Sequence, residues 1–538
     1  MRLAWRPASR DLVVCSVLFA GTLLYLSRWP HDLYGLDEGL FLYEAKRIRD
    51  GEIPYRDFFE IVTPGAWYAM ALLFRLFGTT METARNAMAV VHALIVGAVF
   101  LACRARRVHL GLAVAAAVSH LGICYPAFPI ATPHWLSTLL TLALLLLFLV
   151  GRWTGRVGWW VVPGVVTGLL ILVQQQKGLV LALGPLALLA GEALLEWRRG
   201  VPLGRAARGL GWYMIGAAAI VVPPLGVLLV AAGMQPVVTD LIVQPLFYYR
   251  SFNRSTWGAN QVAALLEALR LPVGADVRGL SLLAYLPAIV PIASAVAWLR
   301  GRTPSRDDDR GVAGLAAMLV LCPVASLSVI YNPDVIHLAL IAPVFFVLAA
   351  DTLEELLRLL PGPAGAGRVV GWGLAVTLLA LLVLKLDWQL DARCRAYSLS
   401  RMTAFGRVDF FNAEEVAVLD KLTELLRQEP PGETFAYPYY ASLYLLTDTR
   451  NPTPYQLLIP GYSLPGQLED AIDTLERRRV RYVVVWFPLW PWASDPVIAY
   501  LERKYERVDY GVRRPFPTVV LYRRRADNGQ PLRRNSVS

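Results

Sequence analysis

Apolar runs close to twenty residues long recur from the N-terminus to about residue 386, and they leave this chain few folds to choose from. About twenty apolar residues in an α-helix cross the hydrocarbon core of a bilayer, and a helix satisfies its own backbone there. The runs fall at 11–27, 85–103, 109–127, 133–150, 158–174, 178–196, 210–231, 279–299, 311–330, 335–351 and 369–386. The expected fold is mainly α, a polytopic transmembrane helical bundle of about eleven spans. No small-residue cleavage site follows the first run, Asp11 to Leu26, and more spans come later, so it reads as a retained helix and not a signal peptide. The 180th region, residues 158–196, reads as a helical hairpin or one broken helix, joined by QQQKG.

The arginines set the orientation. With Arg2, Arg6 and Arg10 on the cytoplasmic side, the later cytoplasmic connections carry Arg104, Arg106 and Arg107, then Arg152 and Arg156, then Arg198, Arg199, Arg205 and Arg208, then Arg300, Arg302, Arg306 and Arg310, and last Arg358 and Arg368. The short connections on the other side, CYPAFPIATPH, QQQKG and YNPDVIH, carry one cation, Lys177. This is the positive-inside pattern. It explains the net charge of +11 without a nucleic-acid partner. It implies a multi-pass protein of the inner or plasma membrane, with a cytoplasmic N-terminus and an extracytoplasmic C-terminal region. The five cysteines form no CxxC pair, which argues against a disulfide framework or a zinc site.

The same rule places residues 64–77. A crossing there would invert every later arginine cluster, and the segment is only about fourteen residues long and carries Arg75. It is expected to lie at the interface, with Trp67, Tyr68 and Phe74 at headgroup depth. Glu44 to Arg49 is a second expected surface helix. Residues 1–386 thus form a transmembrane module with a large first extracytoplasmic loop of juxtamembrane helices, about 28–84, and a second long outer loop, about 232–278. Residues 387–525 turn charged and alternate helix-like segments (412–428, 468–479) with strand-like ones (434–437, 481–487, 518–522), which suggests a small α/β domain. Residues 526–538 read as a disordered tail.

Polar groups on the outer side are the candidates for chemistry. Asp37 and Glu38 follow the first span; they are a solvated pair, a cap for the next helix, or a general base acting on an acceptor hydroxyl. Asp57 either pairs with Arg56 or faces Asp37 across a cavity. Lys177, preceded by Gln174, Gln175 and Gln176, either snorkels at a tight turn or binds phosphate, with Gln176 hydrogen-bonding beside it. An ammonium at the centre of a span costs about 2.5–3.5 kcal/mol. Asp334 and His337 share a helical face, as a cap with an interfacial histidine or as a pair contacting substrate. His134 faces the same side. Arg250 and Arg254 belong to an aromatic belt or to a cationic lip for an anionic headgroup. No metal-ligand spacing accompanies these residues; no cofactor is required, and a divalent cation stays compatible with them.

The Asp37–Glu38 pair, the stretch YEAKRIRDGEIPYRDFFEIVTPGAWYAMALLFRLFG and the Ala84–Arg85 opening of the second span resemble the GT-C superfamily of membrane glycosyltransferases. The resemblance is to the bacterial branch akin to protein O-mannosyltransferases and the lipid A aminoarabinose transferase (family 39-type). It extends through GLLILVQQQKG, the D-x-x-H element at Asp334–His337 and the C-terminal region. The resemblance implies transfer of a sugar from a polyprenyl-phosphate donor to a lipid, protein or polysaccharide acceptor, on the extracytoplasmic face and with inversion. It implies Asp37 as the essential first-loop acid and Lys177 near the donor phosphate. The competing readings are a transporter or flippase of lipid-linked saccharides, a ligase acting on them, and a cell-wall-binding scaffold.

Overall fold

The computed structural model describes residues 7–33, 35–151, 156–201, 204–249, 282–300, 308–330, 334–360, 366–427, 432–487, 495–509 and 518–526. Eight of its helices are long and apolar enough to cross a membrane, and four shorter apolar helices accompany them. In chain order these begin with α1 (Ser9–Leu26), α2 (Asp37–Arg49), α3 (Gly65–Phe77), α4 (Met81–Ala105), α5 (Leu110–Ser119, continued by wider and tighter turns to Ala127) and α6 (Pro133–Gly151). They continue with α7 (Val161–Val173), α8 (Gln175–Arg198), α9 (Arg205–Ala232) and α10 (Met234–Val238), which leads into a π-helical stretch, Thr239–Tyr249. The last of the bundle are α11 (Leu286–Arg300), α12 (Asp308–Leu327), α13 (Val335–Arg358) and α14 (Ala366–Ala396). Each expected span has its helix, and the chain is a multi-pass membrane protein.

Hydrocarbon offers helices no reason to associate by burial, so close backbone approach has to hold them. Glycines provide it between α7 and α9. A Cβ on Gly164 would collide with the Tyr213 carbonyl, and one on Gly216 with the Val161 carbonyl. The join between α7 and α8 is a sharp turn at Gln174, whose φ of −159° and ψ of 94° break the helix. Gly178 then packs on the Ile171 backbone, where a Cβ would come within 2.5 Å of the Ile171 nitrogen. In a continuous helix these two residues would stand about 10 Å apart, so the hairpin is the arrangement adopted.

Helix α2 is mostly buried by protein, while α3 packs one face on protein and keeps an apolar face exposed. Helix α2 begins at Asp37, and it buries Phe41, Leu42, Tyr43, Glu44 and Ala45. Acids in its first turn and Lys46, Arg47 and Arg49 in its last complement the helix dipole. Helix α3 buries Trp67 and Phe74 against protein and leaves Tyr68 exposed, together with Leu72, Leu76 and Phe77. Trp67 meets Phe41 edge-on at 5.3 Å, and Phe74 meets Phe405 at 6.0 Å. Apolar rings find a denser set of partners there than at an interface, and each buried ring of this kind contributes roughly 1.5–3 kcal/mol.

Helix α14 runs about ten residues past the expected end of the last span, to Ala396. A hairpin of β1 (Leu399–Thr403) and β2 (Gly406–Phe410) follows, pairing Leu399 with Phe410. The rest is an α/β unit: α15 (Ala413–Arg427), β3 (Thr434–Tyr437), α16 (Ser442–Thr447), α17 (Gln467–Arg477), β4 (Tyr482–Phe487), α18 (Pro496–Lys504), β5 (Tyr505–Val508) and β6 (Thr518–Arg524). Its sheet has the order β3-β4-β6-β5, with β3 and β4 parallel and the other neighbours antiparallel. The expected tail lies outside the described residues from 527 on.

This unit is docked on the first loop. Tyr43 of α2 stacks on Tyr444 at 4.5 Å and its hydroxyl accepts from the Asn451 backbone N–H. The Phe59 N–H donates to the Pro454 carbonyl, and Gln244 donates to the Tyr462 carbonyl. The closest approach is at Gly39, where a Cβ would lie 2.7 Å from the Ser442 nitrogen. A residue with any side chain at position 39 would push the α/β unit away.

Candidate active site

The adjacent acids Asp37 and Glu38 have opposite surroundings. Glu38 is fully buried. Arg85, from the first turns of α4, donates to its Oε1 at 2.5 Å and its Oε2 at 3.0 Å, and the Ala131 N–H donates at 2.6 Å. Arg85 also donates to the Asp32 carbonyl. Both oxygens are committed, and the group is a brace between the first loop, α4 and the loop before α6.

Asp37 is the first residue of α2, and no side chain caps that helix. Its carboxylate remains open to solvent. Among the described residues its one hydrogen bond comes from the Tyr439 hydroxyl, 2.6 Å from Oδ1. Neighbouring protein displaces part of its hydration and holds its carboxyl above the usual carboxylate range, although one side stays exposed; the Tyr439 bond and His337 pull it partly back. Tyr439 for its part is driven well above the ordinary phenol range by burial and by Asp37, so it stays a donor.

His337 and Asp334 stand within electrostatic reach of Asp37. Asp334 caps α13, accepting from the His337 N–H and bonding His337 Nδ1, both at 2.8 Å. Burial would raise the Asp334 carboxyl, but the His337 bonds win and hold it below the ordinary value. The His337 ring meets His134 edge-on at 5.6 Å. From there the contacts run inward. His134 Nδ1 lies 3.0 Å from Gln174 Nε2, and Gln174 Oε1 lies 3.0 Å from Ser137 Oγ. Lys177 Nζ donates to Ser137 Oγ at 3.0 Å. Hydrogen bonds therefore link Lys177 to His134 through Ser137 and Gln174, and the His134 ring packs on His337, which lies within electrostatic reach of Asp37.

Lys177 is only 3% exposed. Among the described residues the Ser137 hydroxyl is its single hydrogen-bond partner, and no carboxylate pairs with it. An ammonium has three donors, and a buried charge without a counter-ion is costly.

The glutamines divide differently from the expectation. Gln175 braces the first loop, accepting from the Thr63 N–H at 2.9 Å and donating to the Ile61 carbonyl at 2.7 Å. Gln174 joins the polar run, and Gln176 makes no hydrogen bond among the described residues. Asp57 stays within its own turn. It accepts from the Ile53 N–H at 2.7 Å and pairs with Arg56 at 2.7 Å, and no contact takes it to Asp37. Arg250 and Arg254 lie outside the described residues.

Sequence reasoning missed a second acidic group behind Asp37. Glu44 and Glu60 are buried against each other. Burial, and then Glu60, hold the Glu44 carboxyl well above its ordinary range, and burial raises the Glu60 carboxyl as well. Asp240 is pushed up to about 7 by burial and by Glu60. Among the described residues, no group of three or more His, Cys, Asp or Glu is arranged to hold a metal ion. Tyr439, Ser137 and Arg85 were missed as well. Tyr439 lies in YPYY, about four hundred positions from Asp37, and no spacing rule connects the two.

A membrane bundle with a folded first loop, and a small α/β unit docked on that loop, has a counterpart among solved structures. The chain matches the crystal structure of ArnT from Cupriavidus metallidurans bound to undecaprenyl phosphate over 97% of its own length and 98% of that chain, with a TM-score of 0.55 and 15% identity. The apo form of the same protein (14% identity, 95% and 96% covered, TM-score 0.41) and the mycobacterial arabinofuranosyltransferase AftD (16% identity, 98% of this chain and 41% of that one, TM-score 0.45) are more distant, and no argument rests on them. No protein-family model matches the chain, and no curated protein does. The likeness to ArnT bears out the resemblance seen in the sequence at the level of the fold.

Proposed function

We propose that this protein is a membrane glycosyltransferase that takes a sugar from a polyprenyl-phosphate donor and passes it to an acceptor hydroxyl on the extracytoplasmic face. The observation that carries the reading is Lys177, a buried lysine that pairs with no carboxylate among the described residues and is linked through Ser137, Gln174, His134 and His337 to the surroundings of an exposed carboxylate, Asp37. A phosphate on Lys177 and a hydroxyl on Asp37 supply the missing partner of each. The structurally similar ArnT was solved with undecaprenyl phosphate bound. The alternation of arginine-rich and arginine-poor connections supports an outward-facing site and a cytoplasmic N-terminus.

The mechanism is a single displacement. The acceptor oxygen attacks the anomeric carbon as the bond from that carbon to the phosphate oxygen breaks, which inverts the centre. Asp37 takes the acceptor proton. Lys177 neutralises the departing polyprenyl phosphate, and stabilising that charge in a dry setting is the larger contribution. The step needs Asp37 ionised. Because its pKa is raised, activity is full above that pKa and falls as pH drops through it. Asp334, His337 and His134 line the path between the two groups. Glu38 holds the loop through Arg85, and Asp57 holds the turn after α2. No step is routed through a metal or other cofactor. The acceptor is a lipid, a protein or a polysaccharide.

The test is transfer from radiolabelled polyprenyl-phosphate sugars by the purified protein in lipid, wild type against Asp37→Asn. The expected loss is about 10²–10⁴-fold, the range for a general base. Undiminished transfer by the variant would move the chemistry away from Asp37. Movement of lipid-linked sugar between leaflets without transfer would favour a flippase.

A further inference from the structure

We infer that Tyr439, carried by the α/β unit, is a positioning residue for Asp37, so that this unit forms part of the active site. The inference rests on the proposed role of Asp37 and extends it to the other end of the chain.

The geometry is specific. The Tyr439 hydroxyl donates to Oδ1 of Asp37 at 2.6 Å, and among the described residues nothing bonds Oδ2. One oxygen is held and the other is left for an acceptor hydroxyl. A carboxylate on the first turn of a helix is otherwise free to rotate about two bonds, and a base must be held in line to be effective. Tyr439 is itself fixed. It follows β3 of the sheet, and its neighbour Tyr440 stacks on Trp486 of β4 at 5.6 Å. Three residues on, the Ser442 hydroxyl donates to the Gly35 carbonyl, and the Ser442 nitrogen occupies the space that a side chain on Gly39 would fill. These contacts flank Asp37 on both sides in sequence, at 35 and 39. They fix the distance between the β3 end and the first turn of α2 and hold the phenol against the carboxylate.

The charged and titratable groups facing Asp37 are Tyr439 and Tyr462 from the α/β unit and Asp334 and His337 from the start of α13. Tyr439 is the one bonded to it. A phenol donating to the ionised form favours that form, so removing the hydroxyl raises the Asp37 pKa further. Loss of this bond therefore shifts the acid limb of activity to higher pH, in addition to lowering the rate.

The test compares wild type with Tyr439→Phe in the full chain in lipid bilayers. The first readout is transfer as a function of pH. The expected result is a kcat lowered roughly tenfold to hundredfold, a donor KM within about threefold, and an acid limb moved upward by about one pH unit. Tyr43→Phe, which removes a docking hydroxyl away from Asp37, is expected to leave the limb in place. The second readout needs no turnover: infrared titration of the Asp37 carboxyl, identified as the band lost in Asp37→Asn. Its midpoint is expected to rise in Tyr439→Phe. An unmoved midpoint together with kcat within about twofold would overturn the inference and leave Tyr439 as a docking contact. If Asp37→Asn itself transfers normally, the proposed mechanism fails, and the infrared midpoint still reports whether Tyr439 holds the carboxylate.

Discussion

The two ends of the bundle treat their charges in opposite ways. At the arginine-rich end, Arg104 pairs with Asp11 at 3.0 Å, and Arg106 grips Asp351 with both a 3.1 Å and a 3.0 Å bond. The Glu354 carboxylate accepts from the His109 N–H at the start of α5. Buried charge is matched there, and its role is to fix helices α1, α4, α5 and α13 to one another. At the other end Lys177 has a hydroxyl, and Asp37 has a phenol, and neither forms an ion pair among the described residues. The unmatched groups are the ones to which the proposed mechanism assigns a donor phosphate and an acceptor hydroxyl.

That contrast can be broken or sharpened in order of effect. Asp37→Asn, with its loss of about 10²–10⁴-fold in transfer, comes first and should leave thermal stability near wild type, because no charge partner is orphaned. Asp351→Asn should do the reverse. It leaves Arg106 without its carboxylate, which costs about 3–5 kcal/mol in stability, measured by thermal unfolding in detergent, while donor binding in the folded fraction is retained. Lys177→Met should weaken binding of undecaprenyl phosphate about 10- to 100-fold by direct binding measurement and leave the unfolding midpoint the same or higher; a drop in stability comparable to that of Asp351→Asn would show that Lys177 is paired after all. The pH profile follows in size. The crowding at Asp37 places the acid limb above the ~3.9 of a free aspartate, so activity should fade at mildly acidic pH and return on raising it. A limb at or below the free value would contradict the crowding. The smallest effect separates two neighbours: Gln175→Ala should cost about 1–3 kcal/mol, since it leaves the buried Thr63 N–H without a partner, and Gln176→Ala should change little.

The two neighbouring acids repeat the contrast on a smaller scale. They are identical in class and adjacent in sequence, yet Glu38 is consumed by Arg85 and Ala131, while Asp37 stays open. Helix geometry explains the split. Successive residues on a helix point about 100° apart, so in the first turn of α2 one acid faces α4 and the next faces the α/β unit.

The sequence by itself determined the bundle, its spans and the place where polar groups gather. Hydrophobic length and arginine alternation are local quantities, and each helix satisfies its own backbone, so the spans can be read one at a time. The same locality exposed Lys177, because a cation in an apolar run is conspicuous without any knowledge of its neighbours. The sequence also placed β3, β4 and β6 close to where they form, since alternating β-branched and aromatic residues announce themselves. Only the tertiary structure decided which polar groups are spent and which are free. Arg85, Ser137 and Tyr439 reach their partners across 47, 40 and 402 positions, and no pattern within a window can report such a meeting. It also decided that α2 and one face of α3 pack on protein, because an amphipathic helix has the same face for a membrane interface as for another protein surface, and part of what covers these helices is encoded more than three hundred residues later.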